Sequence, residues 1–180
     1  MAYGKMKIRL ATLADAKACL EIYNAQIDYE AIHGDLTAWR RDVYPTQDDI
    51  HAGIAAGDLY VIEKNSCVIA CGRINFVQES HYKFIKWQIE ENNPDRILVL
   101  HTLAVAQEEK RNGVGKFFLD FYEQEGKRRG CTVLRFDTVS TNIPAQSFYK
   151  KYGYIECGRY SGAYMGRSDI LYVCLEKVLN

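Results

Sequence analysis

The 180-residue chain has only three prolines and no surplus of charge of either sign, with 23 lysines and arginines against 23 aspartates and glutamates. With 48% apolar and 26% charged residues, so few prolines exclude a disordered or collagen-like chain. The zero net charge argues against a general nucleic-acid binder, which carries a basic excess. Long apolar runs are missing as well: Cys67 to Gly72 and Ile97 to Leu100 fall far short of the ~20 residues that span a bilayer, so no membrane partner is expected. The start of the chain runs into Ile8-Arg9-Leu10 without an apolar signal core, so no targeting segment is expected either. Six cysteines occur without a C-x-x-C pair, and four isolated histidines lack ligand spacing. This reads as buried free thiols in a reducing cytoplasm, with no metal.

What is present is enough for one domain, since a chain of this size buries roughly 70% of its unfolded surface without disulfides. Residues 5–10 read as a strand. Thr12 and Asp15 form a capping box for a helix whose apolar face is Leu13, Ala16, Leu20, Tyr23 and Ile27. After a loop from Gly34 to Pro45, Thr46 and Asp49 cap a second helix that Gly57 stops. Segments 59–63 and 67–77 read as a hairpin, and 78–95 as a long excursion of a length that often carries function. Ile97–Val105 is a strand; Val114, Phe117, Phe118, Phe121 and Tyr122 mark a helix ending before Gly126 or Gly130. A strand over 133–139, a helix over 143–152 and strands over 154–160 and 170–177 complete the order β-α-α-β-β-β-α-β-α-β-β. That order implies one α/β (α+β) domain over residues 1–180, a mixed sheet of about seven strands flanked by about four helices.

The chemistry centres on the passage from Leu103-Ala104-Val105 into Lys110-Arg111-Asn112-Gly113-Val114-Gly115-Lys116, a strand, a glycine-bearing turn and a helix. Amides at such a helix start form an anion site. A Walker loop fails, because Lys110 replaces its first glycine and Phe117 its Ser/Thr; a dinucleotide fingerprint fails, because Phe118 replaces its third glycine. A capped helix with a solvated basic turn stays open beside an anion site. A second motif, Asn142-x-x-Ala145-x-x-Phe148-Tyr149-Lys150-Lys151-Tyr152-Gly153-Tyr154, follows the next strand.

Together the two motifs resemble the acyl-CoA-binding core of the GNAT N-acetyltransferase superfamily, whose turn pattern is Arg/Gln-x-x-Gly-x-Gly/Ala. Lys110, Gly113 and Gly115 fill that pattern, with lysine as a departure that Arg111 could offset. The likeness covers about residues 5–177, and the predicted element order resembles that fold, with a mostly antiparallel sheet. It implies acetyl-CoA as acyl donor: turn amides from Arg111 to Lys116 hold the pyrophosphate, Leu103, Ala104 and Val105 align the pantetheine, and Asn142, Phe148, Tyr149 and Lys151 complete the cofactor site. For Asn142, a helix cap alone is an equal alternative.

The resemblance also implies that Tyr149 protonates the departing thiolate, with core packing as the alternative. Leu100-His101-Thr102-Leu103-Ala104-Val105 is similar to the corresponding strand of arylalkylamine N-acetyltransferases, where a histidine is implicated in deprotonating the amine. A period of two places His101, Leu103 and Val105 on one strand face. His101 therefore stands as base, with Glu79, Glu90 and Glu91 as rivals and a satisfied core histidine as the plain alternative. The activity implied is transfer of acetyl to a primary amine of a small molecule or peptide in a ternary complex; a non-catalytic acyl-CoA-binding or regulatory domain is the rival reading. Residues 11–63 carry ten acids and three bases, net −7, whereas 110–160 carry ten bases and five acids, net +5. A cationic or neutral acceptor is therefore expected over an anionic one, for which only Arg40, Arg41 and Arg73 could form a clamp. Trp39 and Trp87 suggest an aromatic rim, and a homodimer is compatible with the reading.

Overall fold

A computed structural model describes residues 6–164 and 167–179, so Lys5 of the predicted first strand lies outside the described residues. The elements are β1 (Lys7–Leu10), α1 (Ala16–His33), α2 (Gln47–Ala56), β2 (Leu59–Lys64), β3 (Cys67–Asn75), β4 (Ile97–Val105), α3 (Val114–Arg128), β5 (Val133–Val139), α4 (Ile143–Lys151), β6 (Ile155–Tyr164) and β7 (Arg167–Val178). The strands form one mixed sheet in the order β1-β2-β3-β4-β5-β7-β6, in which β4 and β5 run parallel and β1-β2, β2-β3, β5-β7 and β6-β7 antiparallel. This is the α/β architecture that the element order predicts. The chain contributes to two compact units: one has the described residues up to His33 with Trp39–Ile74 and His101–Tyr122, the other Gly34–Ala38, Asn75–Leu100 and the residues from Glu123 onward.

In the first unit, both predicted capping boxes form. Asp15 accepts from the Thr12 amide at 2.8 Å and Asp49 from the Thr46 amide at 2.8 Å, while Gly57 closes α2 in the left-handed conformation at φ 67°. Strand alternation then divides the residues of β2 and β3 between two faces. Val61 and Cys71 join Cys19, Ile22, Tyr23 and Ile50 in a core under α1 and α2. On the other face Tyr60 meets Phe121 at 5.1 Å, and Gly72 leaves so little room that an added Cβ would lie 2.9 Å from Phe118. The buried face of α1 differs from the predicted one: Leu13 is 69% exposed, and Gln26 and Glu30 are buried beside Cys19, Ile22 and Tyr23. Polar residues can occupy a core face when distant partners satisfy them, and these are.

In the second unit, β5 alternates in the same way. Val133 and Val139 pack with Tyr82, Ile85, Tyr172 and Cys174, whereas Phe136 lies under α4, 4.2 Å from Tyr149 and 4.9 Å from Tyr154. The 78–95 excursion holds a short 3-10 turn, Ser80–Phe84, and is fastened by a buried ion pair: Arg135 donates to Glu176 at 2.7 Å, Glu176 accepts from the Gln88 amide at 2.9 Å, and Arg135 donates to the Ile89 carbonyl at 3.0 Å. Three expected boundaries move: strand β3 stops at Asn75 rather than 77, β6 extends beyond 160 because its hairpin register with β7 carries it to Tyr164, and β7 begins at Arg167 rather than 170. Helix α3 ends at Arg128, before Gly130, the later of its two expected stops. No helix among the described residues is long and apolar enough to cross a membrane.

Candidate functional site

The strand–turn–helix segment lies in the first unit. The first α-helical bond of α3 runs from the Phe117 amide to the Gly113 carbonyl at 3.0 Å, so the amides from Gly113 to Lys116 precede the helical ladder, as at any helix start. Two left-handed residues, Arg111 at φ 66° and Gly113 at φ 81°, fold the turn tightly against that start. A 15-residue helix adds its dipole to those amides. Arg111, Asn112, Gly113 and Lys116 are exposed, Gly115 is half-buried and Val114 is buried, so the anchor of the helix and the open edge of the turn are different residues.

Lys110 does not extend from the turn into solvent. Its ammonium donates to Gln26 Oε1 at 2.7 Å and sits 4.8 Å over the ring of Tyr29, and burial holds its pKa below the usual lysine value. Gln107 donates to the same Gln26 oxygen at 3.0 Å, while Gln26 donates to Glu30 at 2.6 Å. Gln26 is therefore the junction that ties the turn to α1. Sequence reasoning missed it, although a glutamine in helical register with Cys19, Tyr23 and Glu30 was a visible signal. Arg111, which makes no ion pair among the described residues, is left as the guanidinium of the turn.

Upstream, the backbone departs from the predicted alternation. Thr102 has φ 50°, a left-handed value inside a strand, so the period of two does not carry His101 onto the face of Leu103 and Val105. The Tyr23 hydroxyl donates to Thr102 Oγ1 at 3.2 Å, and burial raises the pKa of Tyr23 well above 10. Thr102 and Tyr23 line a small cleft with Tyr44, Asp49, Leu59 and Arg73. Trp39 stands edge-on to Tyr23 at 5.3 Å. His101, Leu103 and Val105 are half-buried, and Ala104 is buried. The ladder joining β4 to β5 has three rungs, Ile97 to Val99 against Val133 to Arg135.

The second motif lies in the second unit. Asn142 caps α4, its Oδ1 accepting from the Ala145 amide at 3.2 Å, and is half-buried. Phe148 stands edge-on to Tyr149 at 5.3 Å and to Tyr152 at 5.0 Å, and Lys151 is exposed. Tyr149 is half-buried; desolvation pushes its pKa well above 10, and its hydroxyl has no hydrogen-bond partner among the described residues. Of the rival bases, Glu91 accepts from the Thr132 hydroxyl at 2.6 Å and faces Arg96 at 3.8 Å, which holds its pKa below the usual carboxylate range. Glu79 and Glu90 are exposed.

The acidic surplus of residues 11–63 is largely engaged locally. Asp15 and Glu63 share Arg9, Asp28 holds Arg41, Asp58 holds Arg73 at 2.8 Å, and Asp35 pairs with Arg167. Two of the three arginines proposed as a carboxylate clamp, Arg41 and Arg73, are engaged in those pairs. The cysteines also depart from expectation: Cys67 is exposed and Cys157 half-buried. Burial raises the thiols of Cys71, Cys131, Cys157 and Cys174, the opposite of an activated nucleophile. Among the described residues, no group of three or more His, Cys, Asp or Glu could hold a metal ion.

Solved structures share this fold along nearly all of the chain. An N-acetyltransferase from Staphylococcus aureus Mu50 matches with TM-score 0.72 and 18% identity over 98% of this chain and 99% of its own. A ribosomal-protein-alanine N-acetyltransferase from Brucella melitensis matches with TM-score 0.68 and 22% identity over 96% and 99%. A Salmonella typhimurium protein solved with its cofactor acetyl-CoA matches with TM-score 0.68 and 20% identity over 98% and 95%. No curated relative matches the sequence. A family model for the acetyltransferase (GNAT) family matches residues 19–154, which include the Gln26 junction, the glycine turn and Tyr149. With that match spanning most of its length, the chain belongs to the GNAT acetyltransferase family.

Proposed function

We propose that this protein transfers the acetyl group of acetyl-CoA to a primary amine of a small molecule or peptide by direct attack in a ternary complex. The observation that carries the reading is the turn at 110–116: left-handed Arg111 and Gly113 deliver the first amides of α3 as an anion site, at the place where the family turn pattern falls. The amides from Arg111 to Lys116, with the Arg111 guanidinium, would hold the pyrophosphate. The backbone of Leu103, Ala104 and Val105 would pair with the pantetheine amides as an added strand. Acetyl-CoA supplies the activated acyl group; the rest is done by side chains and amides of this chain.

His101 takes the proton from the acceptor amine, a role for which Glu91 is poorly suited because its oxygens are held by Thr132 and Arg96. The neutral nitrogen attacks the thioester carbon, the Val105 amide supports the developing oxyanion, and the carbon–sulfur bond breaks. Tyr149 gives its proton to the thiolate and is restored by the second proton that the attacking nitrogen sheds as the amide forms; its hydroxyl, without a partner among the described residues, is the support for that role. A covalent acyl-cysteine route through Cys71, Cys131, Cys157 or Cys174 is disfavoured by their raised thiols. The experiment is thiol release from acetyl-CoA across a panel of primary amines, paired with thermal denaturation. Saturation at 100 times the dissociation constant adds about 2.7 kcal/mol of stability. Gly113→Val, which forces a β-branched residue into φ 81°, removes that gain. No thermal shift with millimolar acetyl-CoA in a folded sample refutes the reading; a shift without thiol release from any amine returns the non-catalytic alternative.

A further inference from the structure

In the second unit, the Asp137 carboxylate stands apart from its neighbours. The other partly buried carboxylates there hold a fixed cation: Glu176 with Arg135 at 2.7 Å, Glu125 with Arg128 at 2.6 Å, Glu156 with Arg159 at 2.7 Å and Glu123 with Lys177 at 2.6 Å. Asp137, with its side chain 18% exposed, faces the imidazole of His81, at 3.3 Å from Nε2, and the hydroxyl of Tyr82, and among the described residues it pairs with no lysine or arginine. The imidazole contact is not a hydrogen bond. His81 is 8% exposed and its buried Nε2 has no hydrogen-bond partner among the described residues. The negative charge is felt around it, since burial first and then Asp137 raise the pKa of the Tyr82 and Tyr172 hydroxyls.

The walls are aromatic and ordered. Phe84, Tyr160, His81 and Tyr172 stack in that sequence, with ring centroids 5.4, 5.2 and 4.6 Å apart and interplanar angles of 3°, 14° and 22°. Rings of the excursion alternate with rings of β6 and β7. A partly open carboxylate without a fixed cation, walled by π faces, has the chemistry of a site for an organic ammonium. β5 also fixes the orientation: Phe136 lies under Tyr149, so Asp137, the next residue, projects from the opposite face.

We propose that Asp137, with the ring stack around His81, is a subsite for a non-reacting ammonium group of the acceptor, so that the preferred acceptor carries two amines. A carboxylate stabilises the protonated form of the amine it holds, and a protonated amine is no nucleophile. Asp137 therefore suits the charge that anchors the acceptor rather than the nitrogen that attacks. This rests on the acetyl-transfer reading above and names the acceptor class for it.

The test compares putrescine with butylamine, and 1,3-diaminopropane with propylamine, by thiol release and by calorimetric titration in the presence of acetyl-CoA. A hydrogen-bonded ion pair at a partly desolvated site is worth about 10- to 100-fold, so the wild type should favour each diamine by at least about tenfold. Asp137→Asn, which keeps the shape of the side chain, should bring the ratio to within about twofold of one while its melting temperature and acetyl-CoA shift persist. Equal handling of mono- and diamines by the wild type, in both turnover and calorimetry, overturns the proposal, as does a diamine preference that survives Asp137→Asn. Absence of the acetyl-CoA shift counts instead against the acetyl-transfer reading, because diamine binding is read separately by calorimetry.

Discussion

Tyr149→Phe separates chemistry from packing at one atom. The ring of Tyr149 lies 4.2 Å from that of Phe136, 5.3 Å from Phe148 and 6.1 Å from Tyr154, and phenylalanine keeps all three contacts. The hydroxyl that is deleted makes no hydrogen bond among the described residues, so no bond is lost and no buried partner is left unsatisfied. Stability should therefore change by less than about 0.5 kcal/mol, or within roughly 2 °C of melting temperature for a chain of this size. A proton donor to the thiolate is worth about 10²- to 10⁴-fold, or about 3–5 kcal/mol in the barrier. The expected result is a kcat lower by at least about a hundredfold with an unchanged acetyl-CoA thermal shift. The pH profile adds a second reading. Burial raises the tyrosine pKa above its ordinary 10, so the proton stays in place through neutral pH and up to about pH 10. Any fall in rate on the basic side below pH 10 must belong to another group and should persist in Tyr149→Phe. A kcat near wild type, or an activity loss matched by an equivalent loss of melting temperature, refutes the assignment.

The Gln26 junction predicts a different signature: Gln26→Leu strands the half-buried Lys110 ammonium and frees the turn from α1, which should cost about 2–3 kcal/mol and raise the KM for acetyl-CoA several-fold with little change in kcat, while Gln26→Glu restores the acceptor. Initial-rate kinetics with varied acetyl-CoA read the split, and a fall confined to kcat contradicts it. Acid should loosen the first unit through Asp15, whose pKa the Arg9 guanidinium lowers to about 2 from an ordinary 3.8. Because the folded value is the lower one, its contribution is fully present above about pH 4 and disappears as pH falls through about 2. Asp15→Asn should accordingly flatten the acid limb of a melting-temperature profile there, and an unchanged limb excludes this pair as its source.

Where the fold was legible, local chemistry wrote it. Thr12 with Asp15, Thr46 with Asp49 and the left-handed Gly57 each specify a helix end within a few residues, and the apolar runs 97–105 and 133–139 became β4 and β5 with those bounds. Apolar periodicity placed Ala16, Leu20 and Tyr23 of α1 against the core but not Gln26, because burial there is decided by Gln107 and Lys110, more than 80 residues away, which make Gln26 an acceptable core residue. The glycine turn was legible for the same reason as the caps: the left-handed backbone at Gly113, φ 81°, favours glycine. Asp137 and His81 were not, since their pairing requires the excursion to fold back on β5, and neither residue has a local signature.

Thr102 sets stability against shape. A β-branched residue held at φ 50° stores about 1–3 kcal/mol of backbone strain, and glycine at this position would relieve it. Selection for a more heat-resistant protein would thus find glycine at 102 readily, and with it would lose the hydroxyl through which Tyr23 fixes the kink in β4. A strand with that freedom would sample straighter paths, and the groups from His101 to Val105 would no longer share one arrangement. The fold tolerates this strain where β4 leaves its last rung with β5, and thermal robustness and a fixed geometry for acyl transfer are opposed at a single residue.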